Sequence, residues 1–445
     1  MIDKLIILHH YLQTKLHHPI QTRQDLEVWQ ERRVHKHLKT VLPKSSFYHQ
    51  YYQGLPIQEW RKFPIIEKQM MMEHFDRLNT VGIDKDDAYR IALASEENRD
   101  FSPQIHEVSV GLSSGTSGNR GLFLVSRQER LRWAGTILAK VLPAPLWKSQ
   151  KIAFFLRANN NLYQTINSRR IQFRFFDLLD PIPLHIQRLN YYQPSILAAP
   201  PSVLRILAMA LKSKELKIKP CKVISIAEVL EPLDDLFIKE QFQQTIHQVY
   251  QCTEGFLGVS CSHGTIHLNE DLVVIEKEYI DDRRFFPVIT DFFRTTQPII
   301  RYRLNDILVE SSEPCTCGSI FTALEKIEGR SDDIFYLYSR FGGKFIPVFP
   351  DFLRRSILQA AAEIAEYRII QHNPGLIEVL VKVPAEMRFV IERKIDIAMN
   401  HLFTSLECQL PQIIHTSWSP QTDFQKKLRR VERKFKFNDD QSDII

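Results

Sequence analysis

Between residues 105 and 330 the sequence alternates short β-rich runs (KIAFFL, SILAAP, KVISIAEV, HQVYQC, LVVIEKEYI, FFPVIT) with helical stretches such as PPSVLRILAMALKSKEL. A chain patterned this way builds layers, with helices stacked on a mixed sheet, so the fold class is α/β. Active sites in such sheets gather at strand ends. The segment before it, about 3 to 80, has a helical rhythm with an apolar face in LEVWQERRVHKHLKTVL and reads as scaffold. After Gly329 the character changes again. IFYLYSRFGGKFI reads as a β-hairpin turning at Gly342 and Gly343, followed by an amphipathic helix (DFLRRSILQAAAEIAEY), a strand (IEVLVKV) and a second helix (MRFVIERKIDIAMNHLF). The 445 residues exceed what one core usually fills. The division expected is a large α/β domain over 1–329, mostly helical to residue 80, and a small α+β domain over 330–445.

Composition sets limits without choosing a function. With 44% hydrophobic and 25% charged residues, extensive disorder is excluded. The net charge of +6 suits polyanions, among which nucleoside triphosphates count as well as nucleic acids. No uninterrupted apolar run is long enough for a membrane span; the best, PSILAAPPSVLRILAMAL, holds two adjacent prolines and Arg205. The start, MIDKLIILHHYLQTK, lacks a basic leader region and a cleavage site and reads as cytoplasmic. Six cysteines in such a chain point to thiols or metal ligands more than to disulfides.

The segment VGLSSGTSGNRG, residues 110–121, offers hydroxyls at Ser113, Ser114, Thr116 and Ser117 and glycines at 115, 118 and 121. Such a turn lets successive amides face an anionic oxygen, and phosphate is the natural guest. Neither GxxxxGK[ST] nor GxGxxG is present, so neither a P-loop NTPase nor a dinucleotide fold is indicated.

SSGTSGNRG resembles the phosphate loop of the adenylate-forming superfamily, the acyl-CoA synthetases, adenylation domains and luciferases. The superfamily's other motifs follow in order: YQCTEG at 250–255, YRLND at 302–306 and GRSDD at 329–333. Within it the chain is most similar to the phenylacetate-coenzyme A ligase branch, through FPIIEKQMM, LAAPPSVLRILA, ISIAEVLEP, CSHGTIHLNED, PCTCGSIFTALEKIEGRSDD and KKLRRV, over about residues 30–435.

The resemblance implies ATP-dependent adenylation of a carboxylic acid with release of pyrophosphate, then transfer to a thiol such as coenzyme A. It assigns Ser113, Ser114, Gly115, Thr116, Ser117 and Gly118 to the triphosphate, Thr253 to the α-phosphate, Glu254 to magnesium and Tyr250 to adenine. Asp306 is assigned to the ribose hydroxyls and Arg330 to ribose or phosphate. Asp332 falls at the hinge between a large and a mobile small domain, and Lys427 at the lysine that bridges carboxylate and α-phosphate. Asn119 and Arg120 stand where relatives carry Lys and Pro, while Gln251, Asn305 and Lys426 replace glycines, and YLYSRF lengthens the hairpin that walls the coenzyme A tunnel. Two other outcomes stay open on the sequence: transfer of the acyl group to an amine, carrier protein or polymer, and a non-catalytic nucleotide-binding relative. FFLRANNNLY is the expected wall of an aromatic or aliphatic acid pocket, with Arg157 or Asn159 facing a polar substituent.

Cys315-Thr316-Cys317 forms one thiol pair, and Cys261 with His267 a second local pair. Three thiolates and one imidazole are a closed tetrahedral set for structural zinc, as in some phenylacetate-ligase relatives. His263 competes with His267 for the imidazole place, and thiols without metal are the other reading. The tail KKLRRVERKFK is basic, yet no aromatic-basic interleaving recurs elsewhere, so no nucleic-acid partner is expected. The acid, the acceptor and homodimerisation are left open.

Overall fold

The computed structural model describes residues 2–16, 20–113, 120–156, 167–418 and 429–435. Packing divides the chain into one unit of Met1–Leu304 with Leu308–Ile327, and a second of Asn305–Ile307 with Glu328–Ile445.

The first unit is built on most of a twelve-stranded sheet. One half is parallel, in the spatial order Ile171–Asp177, Gln150–Leu156, Ile196–Ala199, Lys222–Ser225, Ile246–Gln251. Its central strand is apolar on both faces; all four residues of Ile196–Ala199 are buried, as helices on both sides require. The crossover helix Pro201–Lys212 opens on a proline, whose fixed φ suits the first helical turn. It places Val203, Leu204, Leu207 and Ala208 against Leu197, Ala199 and Val223. Beyond Ile246–Gln251 the sheet reverses: Phe256–Ser260 pairs antiparallel to it, and Ile266–Leu268 antiparallel to that. The mixed α/β sheet expected from the sequence is therefore present, with its change of direction at the YQCTEG segment.

Helices from the N-terminal region flank this sheet. The helix Arg23–Val41 begins with a capping box, Thr22 and Asp25 each accepting the other's backbone N–H, and its Trp29, Val34, Leu38 and Val41 reach the core that also holds Tyr302 and Leu257. A second capping box, Ser126 with Glu129, starts the helix Arg127–Val141. Glu129 is buried, and its other carboxylate oxygen accepts the amides of Thr295 (2.6 Å) and Thr296 (2.9 Å). The first helix, Ile2–Leu16, lies on Arg127–Val141 at the point where Gly135 removes any side chain. A Cβ at 135 would stand 2.5 Å from the Ile7 carbonyl oxygen and 2.7 Å from His10 Cβ.

In the second unit a four-stranded sheet runs in the order Gln412–Ser417, Leu376–Lys382, Glu366–Asn373, Val431–Arg433. Helices Pro350–Ala360 and Arg388–Ser405 supply Leu353, Ile357, Ile391, Ile395 and Met399 to its core. The expected hairpin is present, Phe335–Tyr338 against Phe345–Val348, with Gly342 and Gly343 at φ of 81° and 74°. The helix expected over DFLRRSILQAAAEIAEY stops at Ala360. Its last two residues open the strand Glu366–Asn373, whose alternating Tyr367 and Ile369 pair across to Val381 and Val379; cross-strand burial outweighs the helical propensity of AAAEIAE.

Because a main-chain oxygen cannot rotate away, Gly135→Val is expected to destabilise the protein by about 1–3 kcal/mol, the usual cost of overpacking. Urea unfolding measures it, and a midpoint equal to wild type would show that the two helices are not in this contact.

Candidate functional site

Where the sheet changes direction, Cys252 to Gly255 turns the chain, closed by the Cys252 amide on the Gly255 carbonyl at 3.0 Å. Glu254 stands on this turn, half-exposed, with both oxygens engaged: Oε1 accepts the Tyr302 hydroxyl at 3.1 Å and Oε2 the Thr253 hydroxyl at 2.8 Å. Each oxygen keeps a further lone pair, the donor set of a hard divalent cation such as magnesium. Tyr302 is buried, and burial followed by the Glu254 charge pushes its phenol well above its ordinary range. It therefore stays a neutral donor. A bulge on Tyr302's own strand, where three residue steps from Ile299 to Tyr302 face two from Ile289 to Asp291, with Arg301 at φ 46°, sets the direction of Tyr302.

Arg294 links this turn to the strand that follows the SSGTSGNRG loop. Its Nη1 donates to the Thr253 carbonyl and its Nη2 to the Leu124 carbonyl, each at 3.1 Å. Asp291 lies behind Gly255, where a Cβ would come within 3.5 Å of its Oδ2; burial raises its pKa to about 6 against the pull of Arg294. Tyr250 belongs to the apolar core, 7% exposed, with its Cβ facing Gly258.

Residues Ser114, Gly115, Thr116, Ser117, Gly118 and Asn119 lie outside the described residues, but the neck of their loop does not. Ser113 and Gly121 close it reciprocally: Ser113 N–H donates to Gly121 O at 2.8 Å and Gly121 N–H to Ser113 Oγ at 2.7 Å. Arg120 is engaged by described residues. Its guanidinium grips both carboxylate oxygens of Glu96, and its Nε donates to the Ser113 carbonyl at 3.1 Å. Lys68, from the helix Lys68–Glu73, donates to Ser113 Oγ at 3.4 Å.

In the second unit, Asp306 is 9% exposed and meets Arg330 Nε at 3.3 Å. Arg330 thus reaches Asp306, while the neighbouring acids have other contacts: Asp332 accepts Asn305 Nδ2 at 3.2 Å and Asp333 accepts Arg429. Burial holds the Asp333 carboxyl above its usual range, with Arg429 opposing. Gly329, at φ 145°, takes a conformation that favours glycine just before these residues. Lys427, and the pocket candidates Arg157 and Asn159, lie outside the described residues.

The Cys/His set comes together in the first unit. Ligand atoms of Cys261, His267, Cys315 and Cys317 all lie within 4.8 Å of one another. Cys261 Sγ is 3.8 Å from Cys315 Sγ, and Cys317 Sγ is 3.3 Å from His267 Nε2. Those separations are close to the edges of a tetrahedron around zinc with metal–sulfur bonds near 2.3 Å. The Phe321 carbonyl faces His267 Nδ1 at 3.1 Å, which puts the ring proton there and leaves the Nε2 lone pair for a metal. A hydrogen bond with Thr265 leads the interactions that lower the Cys315 thiol to about 5, whereas burial raises that of Cys317. His263 is not part of this set; its Nδ1 meets Thr316 Oγ1 at 2.9 Å. The group pins the strand Ile266–Leu268 and the end of Phe256–Ser260 to the loop before Ala323–Arg330.

No family model matches the sequence. It is 26% identical over 160 residues to Protein CapK of Staphylococcus aureus, so the match spans about a third (35%) of the length of that relative. The fold is similar to that of 2-hydroxyisobutyryl-CoA ligase in the postadenylation state with 2-HIB-AMP, with a TM-score of 0.68 and 14% identity over 92% of this chain and 89% of that one. It is also similar to that of an acyl acid amido synthetase in complex with 2,4-DB, with a TM-score of 0.60 and 11% identity over 96% and 94%. The chain has the α/β fold of the adenylate-forming enzymes.

Protein washed free of loosely bound metal is expected to keep about one zinc per chain, the closed four-ligand set leaving no site for exchangeable water. Elemental analysis reads this directly, and Cys317→Ser should lose the ion; a metal-free wild type would remove the zinc assignment.

Proposed function

We propose that the chain is an ATP-dependent acid ligase that adenylates a carboxylic acid and passes the acyl group to a thiol such as coenzyme A. The observation that carries this is the fixed carboxylate of Glu254, held by Tyr302 and Thr253 at the sheet's change of direction and tied through Arg294 to the strand leaving the Gly/Ser loop, on the fold of adenylate-forming enzymes. Ligands bind at such switch points, beyond the carboxyl ends of parallel strands.

Attack of a carboxylate on the α-phosphorus brings one anion against another, so the site must neutralise charge on both. Glu254 would hold magnesium, which would supply part of that neutralisation. Thr253 orients the α-phosphate, and Ser113 to Gly118 take the β- and γ-phosphates. Tyr250 stacks on adenine, Asp306 accepts the ribose hydroxyls, and Arg330 holds Asp306 in place while reaching toward ribose or phosphate. Lys427 bridges the carboxylate and the α-phosphate. The carboxylate oxygen bonds to the α-phosphorus as the bond to the bridging oxygen breaks, and pyrophosphate leaves. In the second step the thiolate attacks the acyl carbon and AMP departs with the pair of electrons. Rotation at Asp332 exchanges the two steps.

The acid is aromatic or medium-chain aliphatic, in keeping with the likeness to the phenylacetate-coenzyme A ligase branch. Zinc on Cys261, His267, Cys315 and Cys317 serves as scaffold, since four protein ligands leave no position for a reacting water.

Pyrophosphate release across a panel of carboxylic acids, with and without coenzyme A, tests the reading. Acid-dependent release, with acyl thioester only when coenzyme A is present, is expected. Lys427→Ala should cut release by roughly 100- to 1000-fold, as the loss of one well-placed charge-stabilising group does, with ATP affinity nearly unchanged. ATP binding without release for any acid would leave a nucleotide-binding protein and end the ligase proposal.

A further inference from the structure

A triphosphate brings up to four negative charges to the loop neck, and between Ser113 and Gly121 the sequence offers one cation, Arg120. That guanidinium already grips Glu96 through both terminal nitrogens and spends its Nε on the Ser113 carbonyl. Tyr89 fixes the same residue from the other side, its hydroxyl donating to the Arg120 carbonyl at 2.5 Å. Arg120 is thus a structural clamp, and the positive charge for a phosphate must come from elsewhere in the fold.

It comes from the segment FPIIEK. The half-buried Lys68 extends to the neck, with Nζ 3.4 Å from Ser113 Oγ. Its Cε passes 3.0 Å from where a Cβ on Gly121 would be, so the absence of a side chain at 121 makes the channel the lysine occupies. Lys68 is also placed by the same strand that holds Glu254. Ile66, two residues earlier, bridges to Tyr302: Ile66 N–H donates to the Arg301 carbonyl at 3.0 Å and Arg303 N–H to the Ile66 carbonyl at 2.9 Å. One strand, Ile299–Arg303, therefore sets both the donor to the Glu254 carboxylate and the root of the lysine at the loop neck. A flexible surface lysine would need no such anchorage.

We propose that Lys68 is the phosphate-binding cation of this site, contacting the β- or γ-phosphate of ATP at the neck formed by Ser113 and Gly121 and holding the charge of the departing pyrophosphate. This rests on the adenylation reading, since it supposes that the triphosphate lies at this loop. It differs from Lys427 in acting on the leaving group rather than on the α-phosphate.

AMP lacks the two phosphates that Lys68 contacts, and this separates phosphate binding from a general loss of structure. Calorimetric titration of Mg-ATP and of AMP into wild type, Lys68→Ala and Lys68→Arg is the experiment. Wild type is expected to prefer ATP. Lys68→Ala should lose roughly 10- to 100-fold in ATP affinity, the range for a hydrogen bond to a charged group, and none for AMP, while Lys68→Arg keeps most of the preference. Should the alanine variant not fold, Lys68→Gln carries the same comparison. Unchanged ATP affinity in the variant, or an equal loss for ATP and AMP, overturns the assignment. If wild type shows the lysine-dependent preference yet releases no pyrophosphate with any acid, the lysine site stands and the adenylation reading falls. If it binds neither nucleotide, both fall.

Discussion

The hydrogen bond from Tyr302 to Glu254 is the joint on which the candidate site depends. A carboxylate on a surface turn would ordinarily wander among rotamers, and a divalent cation bound to it would pay for ordering it. Here the phenol comes from a buried ring on a bulged strand, so one carboxylate oxygen is fixed by the core itself. The second is fixed by its own neighbour, Thr253. The turn can be rigid because it closes the only kind of place in a mixed sheet where parallel strands end beside an antiparallel return.

Rigidity at the turn propagates through few, specific contacts. Arg294 spans from the Thr253 carbonyl to the Leu124 carbonyl, and Glu129 caps its own helix while accepting two amides from the segment that follows Arg294. The strand leaving the Gly/Ser loop, the helix after it and the Glu254 turn are thereby one polar framework inside an apolar shell. Asp291, behind Gly255, shows the cost: enclosed without full compensation, its carboxyl titrates near 6.

Much of the architecture was legible in the sequence because burial writes itself as runs and periods. Four of the five parallel strands were visible as short β-rich runs, and the crossover helix as PPSVLRILAMALKSKEL; the edge strand Ile171–Asp177 was hidden because Gln172 and Arg174 interrupt its apolar residues. The strand Glu366–Asn373 was hidden because AAAEIAEY carries helical residues up to its first position, and only the pairing with Leu376–Lys382 decides it. At the site, motif order singled out Glu254, Asp306 and Arg330, and the cysteines with His267 or His263, but not the turn that carries Glu254 or the contact of Arg330 with Asp306. Spacing alone could not choose between His263 and His267; that choice is made in space, by strand Ile266–Leu268 turning one ring toward the thiols while the Phe321 carbonyl takes its other nitrogen. Nor could spacing reveal Lys68, forty-five residues before Ser113, or that Arg120 was already committed to Glu96. Such facts belong to tertiary contacts between segments with no shared period. The one available signal was FPIIEK, an apolar run ending in one acidic and one basic residue.

The contact between the first helix and Gly135 has a bearing on how this chain can vary. The obstacle facing any larger residue at 135 is chiefly the carbonyl of Ile7, a group common to all amino acids. A clash between two side chains can be relieved by shrinking either one, so drift at one site is followed by drift at the other. Here no replacement at position 7 can remove the obstacle, so in a randomised library survivors should hardly differ at residue 135, whatever apolar residue stands at 7.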